Sequence, residues 1–315
     1  MLEDWLEHYR VLMFGAEHTY TTVTEGLKLK YEHLPDKLFK YRVLNDHTWD
    51  DLSNDTLFVR KTSVQNDTRE ANIILTPDAE TSIRQQLYND LTKTYGLPRT
   101  IVKNADDVLL AINESIKRLV LDGDAIEKEF MKTPQYKSLR KQIDESFEAY
   151  ICSIKNNSRE LYSICSFSRV NNSNPMWGYY ADGHKGCCIE YNFKELGSDA
   201  LDVALMFPVL YTEDNRVYLN KYEIDKGVDG SLAMFAATLK NKEWEHEKEW
   251  RRLYLGTESG KLQKMPKPTA VYMGERINQE NRAKLVELCK EREIKLFQTR
   301  YDQSSDSIRS YQLDL

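Results

Sequence analysis

With 315 residues, 41 % of them hydrophobic and 30 % charged, the chain has the composition of an ordinary soluble globular protein and enough length to bury a substantial core. A formal net charge of −6 argues against a surface that binds nucleic acid generally, and no apolar run approaches the roughly 18 residues that span a membrane. Five cysteines without C-x-x-C spacing, and an acidic start lacking the regions of a secretory leader, make a cytoplasmic setting the expected one.

In chain order, Leu2, Trp5, Leu6, Tyr9, Leu12 and Met13 recur at helical spacing. They predict an amphipathic helix over 2–14 that packs on the domain or, alternatively, holds a partner protein. The next stretch, up to Pro35, is polar and carries no predicted element. Leu38-Phe39-Lys40-Tyr41-Arg42 reads as a strand with Tyr41 and Arg42 on opposite faces, His47 to Leu52 as a short helix, and Leu57 to Arg60 as a second strand. From Asp78 to Lys155 the pattern is helical. Ile83, Leu87 and Leu91 form one stripe, Val108 to Leu119 a second, and Ile143, Phe147, Tyr150, Ile151 and Ile154 a third, with breaks at Gly96-Leu97-Pro98 and Asp122-Gly123-Asp124. This predicts a helical insertion at 78–155 within a single domain, 1–315. Further on, Phe207–Thr212 reads as a strand. Leu232, Phe235, Ala236 and Leu239 mark a helix continuing towards Lys242, and the segment ending at Leu255 is a strand. Ala270–Met273 is a strand, Asn278 to Glu291 a helix, Ile294–Thr299 a strand, and the tail a last one. The expected fold class is α+β, with a mixed, mostly antiparallel β core.

The stretch from Ser163 to Tyr191 concentrates the chemistry. Ile164, Ser166 and Ser168 alternate with Cys165 and Phe167 as in a strand. Asn174 can cap a short helix opening on Pro175, whose missing N–H costs nothing there. That helix would present Trp177, Tyr180, Ala181 and His184 near one face, and Cys187–Tyr191 reads as a second strand. Such a unit suits the wall of a pocket. Cys187 or Cys188 as a nucleophile beside His184 is the weaker reading against a buried strand cysteine, since Cys is among the most buried residue types. Cys165-x-Phe167-Ser168, then Met176-Trp177-x-x-Tyr180-Ala181-x-x-His184-x-Gly186-x-Cys188-Ile189-Glu190, resembles the signature of a large bacterial family of unknown function. Other landmarks of that family match Lys40-Tyr41-Arg42, Asn66-Asp67, Val209-x-Tyr211 and Trp244-x-x-Glu247-x-Glu249-Trp250-Arg251. The chain departs from it after Asn66-Asp67, where Thr68-Arg69-Glu70 replaces a proline and an acidic residue.

Several familiar sites are missing: there is no Gly-rich phosphate loop, no His-Glu-x-x-His and no zinc-spaced Cys/His set. Glu245, Glu247 and Glu249 would share one face of an extended segment. There they repel unless they meet cations, such as Arg251 and Arg252, or a substrate that develops positive charge. Arg42, Ser168 and Glu247-x-Glu249, on an early, a middle and a later strand, follow the order of the Arg–Ser–Glu layout of ADP-ribosyltransferases, which the chain distantly resembles. The resemblance implies an ADP-ribosyltransferase-like core, NAD as cofactor, a macromolecular acceptor (protein or nucleic acid), and the role of a bacterial toxin or phage-defence effector. On that pattern Arg42 anchors pyrophosphate or ribose, Ser168 braces the cofactor strand, and Tyr180 or Trp177 stacks on nicotinamide. Tyr41 and His184 are further cofactor-pocket residues, Glu249 is the catalytic carboxylate, and Glu247 is its acceptor-side partner. A bidentate arginine suits phosphate. Two other classes stay open: a non-enzymatic sensor or binding module of a defence system, and a metal-dependent nuclease built on Asp67, Glu190 and Glu247.

Overall fold

The computed structural model describes residues 4–15, 19–65, 67–95, 132–226, 230–256 and 260–315. The predicted stripe from Val108 to Leu119, the two predicted breaks and Asn66 lie outside them. The strands are β1 (Leu38–Arg42), β2 (Thr56–Phe58), β3 (Arg60–Lys61), β4 (Asn72–Leu75), β5 (Tyr162–Ser168), β6 (Cys187–Tyr191), β7 (Met206–Pro208), β8 (Leu210–Thr212), β9 (Arg216–Leu219), β10 (Leu239–Asn241), β11 (Glu249–Leu255), β12 (Leu262–Lys264), β13 (Ala270–Met273), β14 (Lys295–Asp302) and β15 (Ser307–Gln312). The protein is mixed α/β with an open, mostly antiparallel sheet. No helix among the described residues is long and apolar enough to cross a membrane.

The chain divides into two compact units. The smaller comprises Asn72–Arg159 and Arg216–Leu232. In it β4 runs parallel to β9, and helices Pro77–Tyr95 and Pro134–Glu160 supply buried Ile83, Tyr88, Phe147 and Ile151.

The larger unit, Met1–Ala71, Glu160–Asn215 and Ala233–Leu315, holds the main sheet, in the order β15-β14-β13-β6-β1-β5-β11-β7, with β3 also on β5. Alternation along each strand sorts side chains between two cores. Leu38, Cys165, Phe167, Cys187, Ile189, Tyr191, Trp250 and Tyr254 pack on one face, and Phe39, Tyr41, Cys188 and Tyr272 on the other. The first face is covered by helices that include Asp46–Asn54, which contributes Trp49 and Leu52, and Gln279–Glu291, which contributes Leu285 and Cys289. Their starts are set by Asn45 and Asn278, whose side chains accept from the backbone N–H of Thr48 and Asn281. β1 meets β5 at a single pair, Phe39 with Ser168. Beyond it β5 takes β3, at Arg60 with Ile164, while β1 stays with β6 through Arg42 and Cys187. The sheet therefore splits beside Lys40–Arg42.

Three expectations change. The polar stretch before Pro35 contains a helix, Tyr20–Glu32, started by a reciprocal capping box between Thr19 and Thr22. The helix expected to continue towards Lys242 stops at Thr238, because Leu239–Asn241 pairs as a strand with β8. Residues 242–247 form a 3₁₀ turn capped by Asn241, and Lys248 ends it in a left-handed conformation at φ 47°. Glu245, Glu247 and Glu249 therefore do not share an extended face, and Glu245 pairs with Lys248 at 3.2 Å. The first helix, Asp4–Phe14, buries Leu6, Tyr9 and Met13, and Trp5 stacks on His33 at 4.2 Å. Its apolar side is thus spent on this chain's own core.

Lys30 on the Tyr20–Glu32 helix is buried, donates to the carbonyls of Val203 and Ala204 at 3.1 and 2.6 Å, and lies over the Phe207 ring. Burial, aided by repulsion from Arg252, lowers its pKa to about 7. In the unfolded chain it keeps the ordinary value of about 10.4. The unfolded state thus binds more protons between those values, and this group's contribution to stability rises with pH across that window. In Lys30→Met, which cannot titrate, that slope vanishes. The free energy of unfolding of wild type relative to Lys30→Met, from denaturant titrations at pH 7 and pH 9, should rise by up to about 1.4 kcal/mol per pH unit. An unchanged difference would mean that Lys30 titrates normally.

Candidate functional site

The split in the sheet opens into a cavity of about 650 Å³. Tyr41, Arg42, Ser168, Tyr180, Glu247 and Glu249, predicted from segments up to two hundred residues apart, all line it. Trp177 and His184 are not among the lining residues. Trp177 is wholly buried in the core with Tyr41, and its Nε1 donates to the Asn171 carbonyl at 2.8 Å. The reason is the helix itself: it runs only from Asn174 to Tyr180, with Ser173 at its cap, so the face expected to carry His184 ends early. His184 follows in a left-handed turn (φ 70°), stacked on the Trp177 ring at 6.0 Å. Burial, and then Arg276, lower its pKa.

Beside the split the lining carries both signs of charge, Lys40, Arg42 and Arg60 with Asp50 and Asp51. Arg42 donates to Asp51 Oδ2 at 2.5 Å and to Thr48 Oγ1 at 3.2 Å, which ties β1 to the Asp46–Asn54 helix. Lys40 reaches across the split to the Ser166 carbonyl at 2.7 Å, and Arg60 and His47 join the lining. Close backbone packing holds this end: a Cβ on Gly186 would stand 2.2 Å from the Arg42 carbonyl, so only glycine fits there.

The other end is a closed ion network. Arg251, fully buried, uses all five of its N–H donors: Nε and Nη2 fork onto Glu249 at 2.9 and 3.1 Å, Nη1 and Nη2 onto Glu70 at 2.8 Å each, and Nη1 also meets the Ala237 carbonyl. Lys240, buried on β10, bonds Glu247 at 2.5 Å and Glu249 at 2.9 Å, with Glu70 at 3.6 Å. Tyr180 donates its hydroxyl to the other oxygen of Glu247 at 2.6 Å. Ser168 donates to the Glu247 backbone carbonyl, so it braces the turn that carries that carboxylate. Burial alone would raise the pKa of Glu249, but the charges of Arg251 and Lys240 outweigh it and hold the carboxyl well below the usual range. Burial likewise opposes the charge on Lys240, and Glu249 overrides it, so the ammonium is held charged. Three carboxylates against two cations leave this end one negative charge in excess.

Other expectations fall away from the cavity. Glu190 is held by Tyr272 at 2.6 Å, Thr269 at 2.8 Å and Lys37 at 3.1 Å, and it does not join Asp67 and Glu247. Among the described residues no group of three or more His, Cys, Asp or Glu is placed to hold a metal ion. Cys187 and Cys188 are fully buried, and burial pushes both thiols up, Cys187 to about 12. Neither is a poised nucleophile.

Sequence reasoning missed Glu70, Lys240 and Trp244 as cavity residues and treated Arg251 only as a neutralising charge. Glu70 had one available signal, its place just after Asn66-Asp67. Lys240 had none, since it sits where a helical pattern runs on.

No curated protein and no solved structure matches the chain. Residues 176–252 match the model of the family described as Protein of unknown function (DUF2971), and the matched segment carries Tyr180, Lys240, Glu247, Glu249 and Arg251.

Proposed function

We propose that the cavity binds NAD and that the protein is an ADP-ribosyltransferase-like enzyme that passes ADP-ribose to a macromolecular acceptor. The observation that carries this reading is the convergence of Arg42, Ser168, Tyr180, Glu247 and Glu249 on one cavity. Its volume lies within the roughly 300–1,000 Å³ of small-ligand sites. The lining offers Lys40 and Arg60, beside an Arg42 paired with Asp51, to an anionic pyrophosphate, and the excess negative charge around Glu247 to a cationic nicotinamide ring.

NAD supplies the ADP-ribose and nicotinamide as the leaving group. The protein's part is electrostatic. Positive charge that develops on the ribose as the nicotinamide bond breaks is stabilised by a fixed carboxylate that needs no reorganisation. Glu249 has both oxygens in the Arg251 fork and a second cation at Lys240. Glu247 meets one cation and a neutral hydroxyl. Glu247 therefore takes the reacting position, and Glu249 maintains the field around it.

The assay is release of nicotinamide from NAD with protein and nucleic-acid acceptors. Glu247→Gln should keep NAD affinity and lower turnover about 100-fold, the equivalent of about 3 kcal/mol of electrostatic stabilisation. Equal turnover in wild type and variant would remove Glu247 from the chemistry. The closed pairing of Glu249 favours one other reading, a module that binds the nucleotide without cleaving it. Saturable NAD binding with no release against any acceptor would establish that reading, and absence of binding would end both.

A further inference from the structure

Two polar atoms in the lining residues lack partners among the described residues. Asp67 lines the cavity and is buried, at 8 % exposure. Its Oδ1 accepts from the Arg69 backbone N–H at 2.9 Å and from Arg69 Nε at 3.3 Å, while its Oδ2 is buried with no hydrogen bond. Trp244 also lines the cavity, and its indole Nε1 is buried without an acceptor. Arg69 links the two positions, because its second arm donates at 2.9 Å to Glu243, the residue before Trp244. Lys240 lies over the Trp244 ring at 5.2 Å, which ties the indole to the Glu247 end. An unpaired buried donor or acceptor carries a standing desolvation cost, and a carboxylate oxygen more than most. One free acceptor and one free donor among the lining residues are the complement of a group that offers one N–H and one carbonyl.

We propose that Asp67 and Trp244 read a primary carboxamide, Asp67 Oδ2 accepting from its NH₂ and Trp244 Nε1 donating to its C=O, so that the site takes a nicotinamide-bearing dinucleotide and rejects the corresponding acid. This rests on the NAD reading and adds to it the residues that select the ligand's reactive end. The acid analogue presents a carboxylate where the amide NH₂ stood. It would leave Asp67 Oδ2 unpaired and set two like charges together. Asp67→Asn removes the repulsion and offers a donor in its place.

The experiment is calorimetric titration of full-length wild type, Asp67→Asn and Trp244→Phe with NAD and with nicotinic acid adenine dinucleotide, each protein first checked for a wild-type melt. Wild type should prefer the amide by about 10-fold to 100-fold, the range of one hydrogen bond to a charged group. Asp67→Asn should weaken NAD and tighten the acid, bringing the preference to about 1 or below it. Trp244→Phe, which keeps a ring of similar shape and loses only the donor, should weaken NAD about 5-fold to 10-fold. NAD binding with no preference in wild type, or with a preference that both variants retain, overturns the carboxamide reader and leaves the NAD site standing. Binding of neither dinucleotide overturns both.

Discussion

Arg251→Met should cost about 3–5 kcal/mol of stability at pH 7, the range for breaking one partner out of a buried ion pair. Methionine fills much of the arginine's volume, so the loss is electrostatic rather than a cavity. What remains is Glu70 and Glu249, both buried, facing one lysine in place of a lysine and a five-donor guanidinium. The pH dependence should reverse as well. In wild type the Glu249 carboxyl is held well below the usual glutamate range. Its contribution is therefore full above the unfolded value of about 4.3 and lost as pH falls through the folded one. Without Arg251 the burial that now opposes ionisation prevails and the folded pKa rises above the unfolded one. Relative to wild type, whose Glu249 contribution is flat there, the variant should then gain stability on acidification from about pH 7 towards pH 5. Adding Glu70→Gln should recover part of the loss, because it removes one unpaired charge. Urea titrations of the three proteins at pH 5 and pH 7 measure all of this. A single-variant cost under about 1 kcal/mol, with no change in slope, would mean that the network is solvated rather than buried.

The same network marks where sequence reading stops. β1, β6 and β13 were legible because two-residue alternation is a property of consecutive side chains. The helix from Tyr20 to Glu32 was not legible. Its buried positions include Gly26 and Lys30, so it carries no strong apolar stripe. Gly26 is there because the first helix comes close: a Cβ would meet Met13 Sδ at 2.7 Å. Lys240 is extended only because β8, thirty residues earlier, pairs with it. Glu247 and Glu249 were named from a face they do not share. They meet because two buried cations draw them together, a relation between residues 70, 240, 247, 249 and 251 that no local pattern encodes. Trp177 and His184 erred in the opposite direction. The aromatic spacing was real, but the helix is too short to carry it to His184, and Trp177 turns into the core.

Trp177→Ala should accordingly damage folding far more than ligand recognition. The side chain is fully buried, its ring meets Tyr41 edge-on at 5.3 Å, and its Nε1–H bonds the Asn171 carbonyl. Truncation removes a large apolar surface, leaves a void between the Asn174–Tyr180 helix and β1, and strands the Asn171 carbonyl. Such changes cost about 3–5 kcal/mol. Tyr41, on that same strand, donates to the Val170 carbonyl at 2.9 Å, and burial raises its hydroxyl pKa well above the usual value. The void therefore opens beside a neutral, hydrogen-bonded core rather than beside the charged end of the cavity. Trp177→Phe, which keeps most of the packing and loses the indole N–H, should recover more than half of the loss. NAD affinity, measured on both variants well below their denaturation midpoints, should fall less than 5-fold, because what reaches the site is only the small freedom gained by Tyr180 at the helix end. If Trp177→Ala instead melts like wild type and no longer binds NAD, the indole is a stacking surface for the ligand, and the helix has a second conformation that turns Trp177 into the cavity.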